Sequence, residues 1–85
     1  MKLNIYLNRL VRNIEKKIGK KDTMKILEIS RWTLGRWQKG SYGNNIDNLE
    51  HVSRKYAEVY SDVDPKEIFM QGLVCILEDR FKEKV

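Results

Sequence analysis

Four side chains, Arg31, Trp32, Arg36 and Lys39, fall close together in the stretch LEISRWTLGRWQKG, Leu27 to Gly40. Their chemistry is recognition of a polyanion that carries flat, edge-reading groups. A guanidinium is a planar fork of donors that matches the O6 and N7 acceptors of guanine, which makes Arg31 and Arg36 candidate base readers. The simpler alternative for each is a phosphate contact, which supplies affinity without sequence information. Trp32 either touches a thymine methyl or a sugar, or is held against a neighbouring helix. Gly35 weakens a helix by ~1 kcal/mol relative to alanine, and a close approach of the backbone to DNA would compensate.

These residues need an element to present them. Arg31, Trp32, Gly35 and Arg36 stand at i, i+1, i+4 and i+5, which is one face of a helix, while Leu34 and Trp37 occupy the other as core. Ser30 is placed to cap that helix, because its hydroxyl can accept from an orphan N–H one turn in. Gly40 is placed to end it, since glycine takes the left-handed conformation without a Cβ penalty. The preceding segment, Lys20 to Ile29, reads as a short helix and turn, with Asp22 or Thr23 as its cap. Lys20 and Lys21 at its start are either a phosphate clamp on helix N–H groups or two ordinary surface lysines.

Farther out, the first helix spans Leu3 to about Ile18. Leu3, Leu7, Leu10, Val11, Ile14 and Ile18 form its apolar stripe, and Gly19 ends it. Its basic residues Arg9, Arg12, Lys16 and Lys17 lie mostly off the stripe, as solvated groups of which one or two reach a phosphate. A fourth helix, from Ile46 to about Tyr60, carries Ile46, Leu49, Val52, Tyr56 and Val59 on its apolar side, with Asn45 as cap. Asp64-Pro65-Lys66-Glu67 opens a fifth, with Asp64 at the N-cap, Pro65 at the first helical position and Glu67 in the capping-box position. That helix runs to about Lys84 and is apolar over more than one face. Leu73, Ile76, Leu77 and Phe81 are its candidate dimer contacts; the alternative is that it folds back to complete the core.

Length and composition limit the function classes. Eighty-five residues make a single domain, 1–85, and one with only a modest core. The longest apolar run, Leu73 to Leu77, is far short of a membrane span, and no signal-peptide pattern stands at the N-terminus. One cysteine, Cys75, forms no internal disulfide and suits a reducing cytoplasm, and with one histidine, His51, it builds no ordinary zinc site. His51 reads as a surface or cap residue. No paired carboxylates, Cys/His pair or glycine-rich phosphate loop points to an enzyme or to a cofactor. Charge is divided unevenly: Met1–Gly40 holds eleven Lys and Arg against three acids, a net of +8, and Ser41–Val85 has a net of −3. One basic face suits a polyanion.

The run Ser-Arg-x-Thr-Leu-x-Arg-Trp-x-x-Gly, Ile46-Asp47-Asn48-Leu49 and Val63 to Ile68 together resemble the phage-repressor type of helix-turn-helix family, lambda repressor and Cro-like, also called XRE-like. The resemblance covers roughly Leu3 to Phe69 and implies a compact all-α domain of five helices, here with an extended C-terminal helix. It implies a third helix in the major groove and a dimer on a palindromic operator. By position, Arg31, Trp32, Gly35 and Arg36 match the base-facing sites, and Lys20, Lys39 and the loop Ser41–Asn45 match the phosphate-contacting regions. The full candidate phosphate set is Lys20, Lys21, Ser30, Thr33, Lys39, Ser41, Tyr42, Asn44 and Asn45. Two positions depart from the pattern. Met24 stands where a small residue is usual and needs wider helix spacing; Glu28 stands where glycine is usual and needs an uncomfortable backbone or a different turn. The expected function is a cytoplasmic, sequence-specific, repressor-like regulator that binds double-stranded DNA as a homodimer without a small-molecule ligand. The alternative is a protein-interaction module on the same scaffold, such as an antitoxin or antirepressor.

Overall fold

The computed structural model describes residues 2–39 and 46–81, which form four α-helices: α1 (Lys2–Leu27), α2 (Arg31–Gln38), α3 (Ile46–Val59) and α4 (Pro65–Phe81). The all-α class stands, but the expected count of five does not. The two helices that Gly19 was expected to separate are joined across a kink at Gly19 as the two arms of one element, α1. Gly19 has φ 88° and ψ 163°, a region open essentially to glycine alone, so helical backbone is interrupted at that one residue and resumes directly after it. The Thr23 hydroxyl, wholly buried, donates to the Gly19 carbonyl (2.6 Å) and ties the two arms together across the bend. Thr23 therefore serves the kink rather than a helix start.

The ends of α1 are closed by other helices. Its first turn contains no acid, yet the Asp79 carboxylate of α4 accepts from the Lys2 and Leu3 backbone N–H groups (2.8 and 3.1 Å). An anion at that end also opposes the positive pole of the helix. At the other end, Nε2–H of His51 in α3 donates to the Leu27 carbonyl (2.6 Å) and satisfies an orphan acceptor. Glu28 then turns the chain with φ 57°, the left-handed conformation that glycine would take more cheaply.

The core joins Leu3, Leu7, Leu10, Val11 and Ile14 of α1 to Leu27, Leu34, Trp37, Leu49, Val52 and Ile76. Ile18 and Met24 pack partly against it, whereas Ile46, expected on the apolar stripe of α3, is exposed. Polar contacts fasten α1 to α3. The Tyr60 hydroxyl donates to the Asn13 carbonyl (2.7 Å), Lys17 donates to the Val59 carbonyl (3.0 Å), and Lys17 also lies 4.5 Å over the Tyr60 ring. Between α1 and α4, the Tyr6 hydroxyl donates to the Ile68 carbonyl (2.7 Å), and burial pushes its pKa up to about 12. The Asp64 carboxylate accepts from the Lys66 N–H (2.9 Å) at the start of α4. Gly72 lets α4 close on α3, since a methyl there would collide with the buried Leu49 side chain. Among the described residues no helix is long and apolar enough to cross a membrane.

The two left-handed positions make opposite predictions. Gly19→Ala should cost about 1–3 kcal/mol in denaturant unfolding, because alanine does not take that conformation. Glu28→Gly should gain up to about 1 kcal/mol, the relief at φ > 0 being partly offset by glycine's flexible unfolded state. Shifts of the same sign would show that backbone conformation does not govern this turn.

Candidate nucleic-acid interface

The eight residues of α2 separate sharply into two faces. Leu34 is wholly buried and Trp37 is 6% exposed, so they seat the helix on the core. Trp32 is 69% exposed, and Arg31, Arg36 and Lys39 are exposed beside it. Among the described residues Trp32 is not held against a neighbouring helix. Instead, the Arg36 guanidinium lies over its indole ring, 4.8 Å from the centroid. One turn of helix brings the two together, and the ring's negative face attracts the cation. This contact restrains the long arginine side chain and engages the face of the guanidinium rather than its in-plane N–H donors.

The start of α2 is built as its sequence suggests. Ser30 is extended (φ −79°, ψ 165°), and its hydroxyl oxygen accepts from the Thr33 N–H at 3.1 Å. The Ser30 hydroxyl also donates to the Thr33 side-chain oxygen (3.2 Å). Both candidate phosphate ligands thus already serve the cap, although Ser30 remains exposed. At the other end Lys39 closes the helix, its N–H donating to the Arg36 and Gly35 carbonyls (3.1 and 3.2 Å). Gly35 is half-buried, and a Cβ built there meets nothing within 4 Å. Nothing in the fold requires glycine at that point.

Lys20 and Lys21 are exposed just beyond the kink of α1. The non-helical backbone at Gly19 puts them at the start of the second arm of α1, where the sequence placed the candidate clamp. Ser41, Tyr42, Asn44 and Asn45, with the proposed stop at Gly40, lie outside the described residues.

Electrostatics set this face apart. Among the described residues the ion pairs are Lys2–Glu78 (3.1 Å), Arg54–Glu50 (2.8 Å) and Lys55–Glu58 (3.5 Å), and all three acids belong to α3 or α4. Lys20, Lys21, Arg31, Arg36 and Lys39 are in none of them. Their charge is left for solvent or an external anion. Cys75, itself on α4, lies apart and partly buried, and burial together with Glu78 and Asp79 raises its thiol pKa.

On α4 the candidate contacts divide. Ile76 is enclosed in the chain's own core and Leu73 packs partly against it, while Leu77 and Phe81 face outward. Two residues that sequence reasoning passed over join the outward pair. Met70, Val74, Leu77 and Phe81 are 50–60% exposed and fall at i, i+4, i+7 and i+11, one continuous stripe. The signal was present in the spacing, but two interleaved apolar faces on one helix hid which of them met the core.

Comparison of the chain with protein-family models, with curated proteins and with solved structures returns no match.

The open space at Gly35 has a direct consequence. Gly35→Ala should raise stability by about 0.5–1 kcal/mol in thermal unfolding, the ordinary gain inside a helix. Destabilisation would reveal a packing demand for glycine.

Proposed function

We propose that this protein is a sequence-specific DNA-binding regulator of the phage-repressor helix-turn-helix type, with α2 entering the major groove. One observation carries the reading. A short helix, seated by Leu34 and Trp37, turns an exposed Arg31–Trp32–Arg36–Lys39 face outward, with its cations in no ion pair among the described residues. Arg36, stacked on Trp32, reads a guanine edge, and Arg31 reads or flanks it. Lys20, Lys21 and Lys39 meet phosphates on either side. Gly35 leaves room for the backbone to approach the groove. A reducing cytoplasm fits the free Cys75.

The partner in this reading is a second copy, joined through the stripe Met70–Val74–Leu77–Phe81. Its spacing is that of a helix-pair contact, and a two-fold dimer matches a palindromic site. The same exposed stripe favours the second reading, a module of antitoxin or antirepressor kind that holds a different protein there.

A binding selection from random duplex DNA should recover an inverted repeat with half-sites about one helical turn apart. Enrichment of no sequence, with only steeply salt-dependent binding, would leave non-specific electrostatics and contradict the proposal. On the recovered site Arg36→Ala should cost about 1–3 kcal/mol and relax the preference at one base position, whereas a uniform loss across sequences would make Arg36 a phosphate contact. Gly35→Ala should weaken binding even as it stabilises the helix.

Leu77→Glu should give a folded monomer in sedimentation. A dimer that survives the change would exclude this stripe as the contact.

A further inference from the structure

The outer face of α1 carries a second basic surface. Arg9, Arg12 and Lys16 are all exposed, and they stand at i, i+3 and i+7, one line along the helix. None of the three enters an ion pair among the described residues. Lys17, beside them, is committed instead to the Val59 carbonyl and the Tyr60 ring. Like charges at these spacings repel and work against the helix that carries them. Two of the three ion pairs neutralise Arg54 and Lys55 within α3 and the third neutralises Lys2 from α4, whereas Glu15 is the one acid among the described residues that lines the groove beside Arg9, Arg12 and Lys16.

The line also adjoins the proposed recognition helix. Glu15, the acid next to it, has its carboxylate accepting from the Gln38 side-chain amide (3.2 Å), at the last residue of α2. That contact engages the acid and joins the α1 line to the end of α2, where Lys39 is exposed. The side chains bound an open groove of about 550 Å³, lined among the described residues by α1 alone. Among those residues no second wall encloses a small ligand, so an extended polyanion suits the groove better.

We propose that Arg9, Arg12 and Lys16 contact the backbone phosphates of duplex DNA flanking the groove that α2 occupies. The inference rests on the DNA-binding reading and lengthens its footprint from one helix to two. These contacts add affinity and salt dependence and carry no base information.

The test uses the full chain and a duplex of about 30 base pairs containing the site that the wild type selects, with binding followed across a salt series. The triple variant Arg9→Gln/Arg12→Gln/Lys16→Gln should keep its helical circular dichroism and its sequence preference. Its slope of log affinity against log salt, taken per bound protomer, should be shallower by about 2–3, close to one per phosphate lost. Arg12→Gln alone should lose about one per protomer and stands in if the triple variant does not fold. The variant Arg54→Gln/Lys66→Gln/Arg80→Gln removes the same charge from α3 and α4 and should leave the slope near wild type. An unchanged slope in the α1 variant overturns the inference, as does an equal loss in the α3–α4 variant, which would make the effect one of net charge. If Arg31→Ala and Arg36→Ala weaken binding while the α1 variant does not, the inference alone fails. If the wild type selects no site, or those two changes leave binding intact, the DNA reading fails and takes the inference with it.

Discussion

Among the described residues α2 packs against one other helix only, α1. Its hold is the burial of Leu34 and Trp37, two side chains each worth about 1.5–3 kcal/mol when taken from water. A helix of eight residues has little stability of its own, so this seat and the Ser30 cap keep it formed. Everything proposed for the outward face therefore depends on the shape of α1. That shape is set at Gly19, where the helix bends and the Thr23 hydroxyl braces the bend from inside. Beyond it, Leu27 enters the core, His51 closes the helix end, and Glu28 turns the chain into Ser30. The bend and the turn are the two places where backbone conformation positions the candidate site.

Polar groups are divided with similar consistency. α3 and α4 supply the anions and hydrogen-bond acceptors that fasten α1: Asp79 at its first turn, and the Val59 and Ile68 carbonyls along its length. Among the described residues, Arg9, Arg12, Lys16, Arg31 and Arg36 on the outer sides of α1 and α2 are in no ion pair. A fold that neutralises one flank and leaves the other charged has a directional field, and long-range attraction of a polyanion follows from that field before any contact forms. In the proposed reading the Trp32–Arg36 pair adds what the field lacks, a restrained guanidinium of the kind that distinguishes one base pair from another.

Much of this was legible in the residues themselves. The stripe Leu3–Leu7–Leu10–Val11–Ile14 is regular enough to place α1, and Ser30, Leu34 and Trp37 place the faces of α2. Gly19 misled because glycine signals a departure from helical backbone without saying whether the helix stops or bends. That choice is made by Thr23 and by packing on both sides, which are tertiary. Ile46 misled because it sits at the first residue of α3, where a regular spacing no longer guarantees a neighbour. The capping roles of Asp79 and His51 come from residues far away in the chain and leave no local pattern. On α4, Ile76 and Leu77 are adjacent and equally apolar, and only the packing of α4 on α1 and α3, with Leu49 against Gly72, decides which one is inside.

The two tryptophans of α2 allow the central claim to be read from one spectrum. A nuclear magnetic resonance titration with the duplex recovered by selection resolves their indole N–H signals separately. If α2 enters the groove, the Trp32 indole and the Arg31 and Arg36 side-chain signals should move strongly. The Trp37 indole, buried in the seat, should move little. A titration in which Trp32 stays still while the signals of Met70, Val74, Leu77 and Phe81 shift would contradict the account and assign binding to α4 instead.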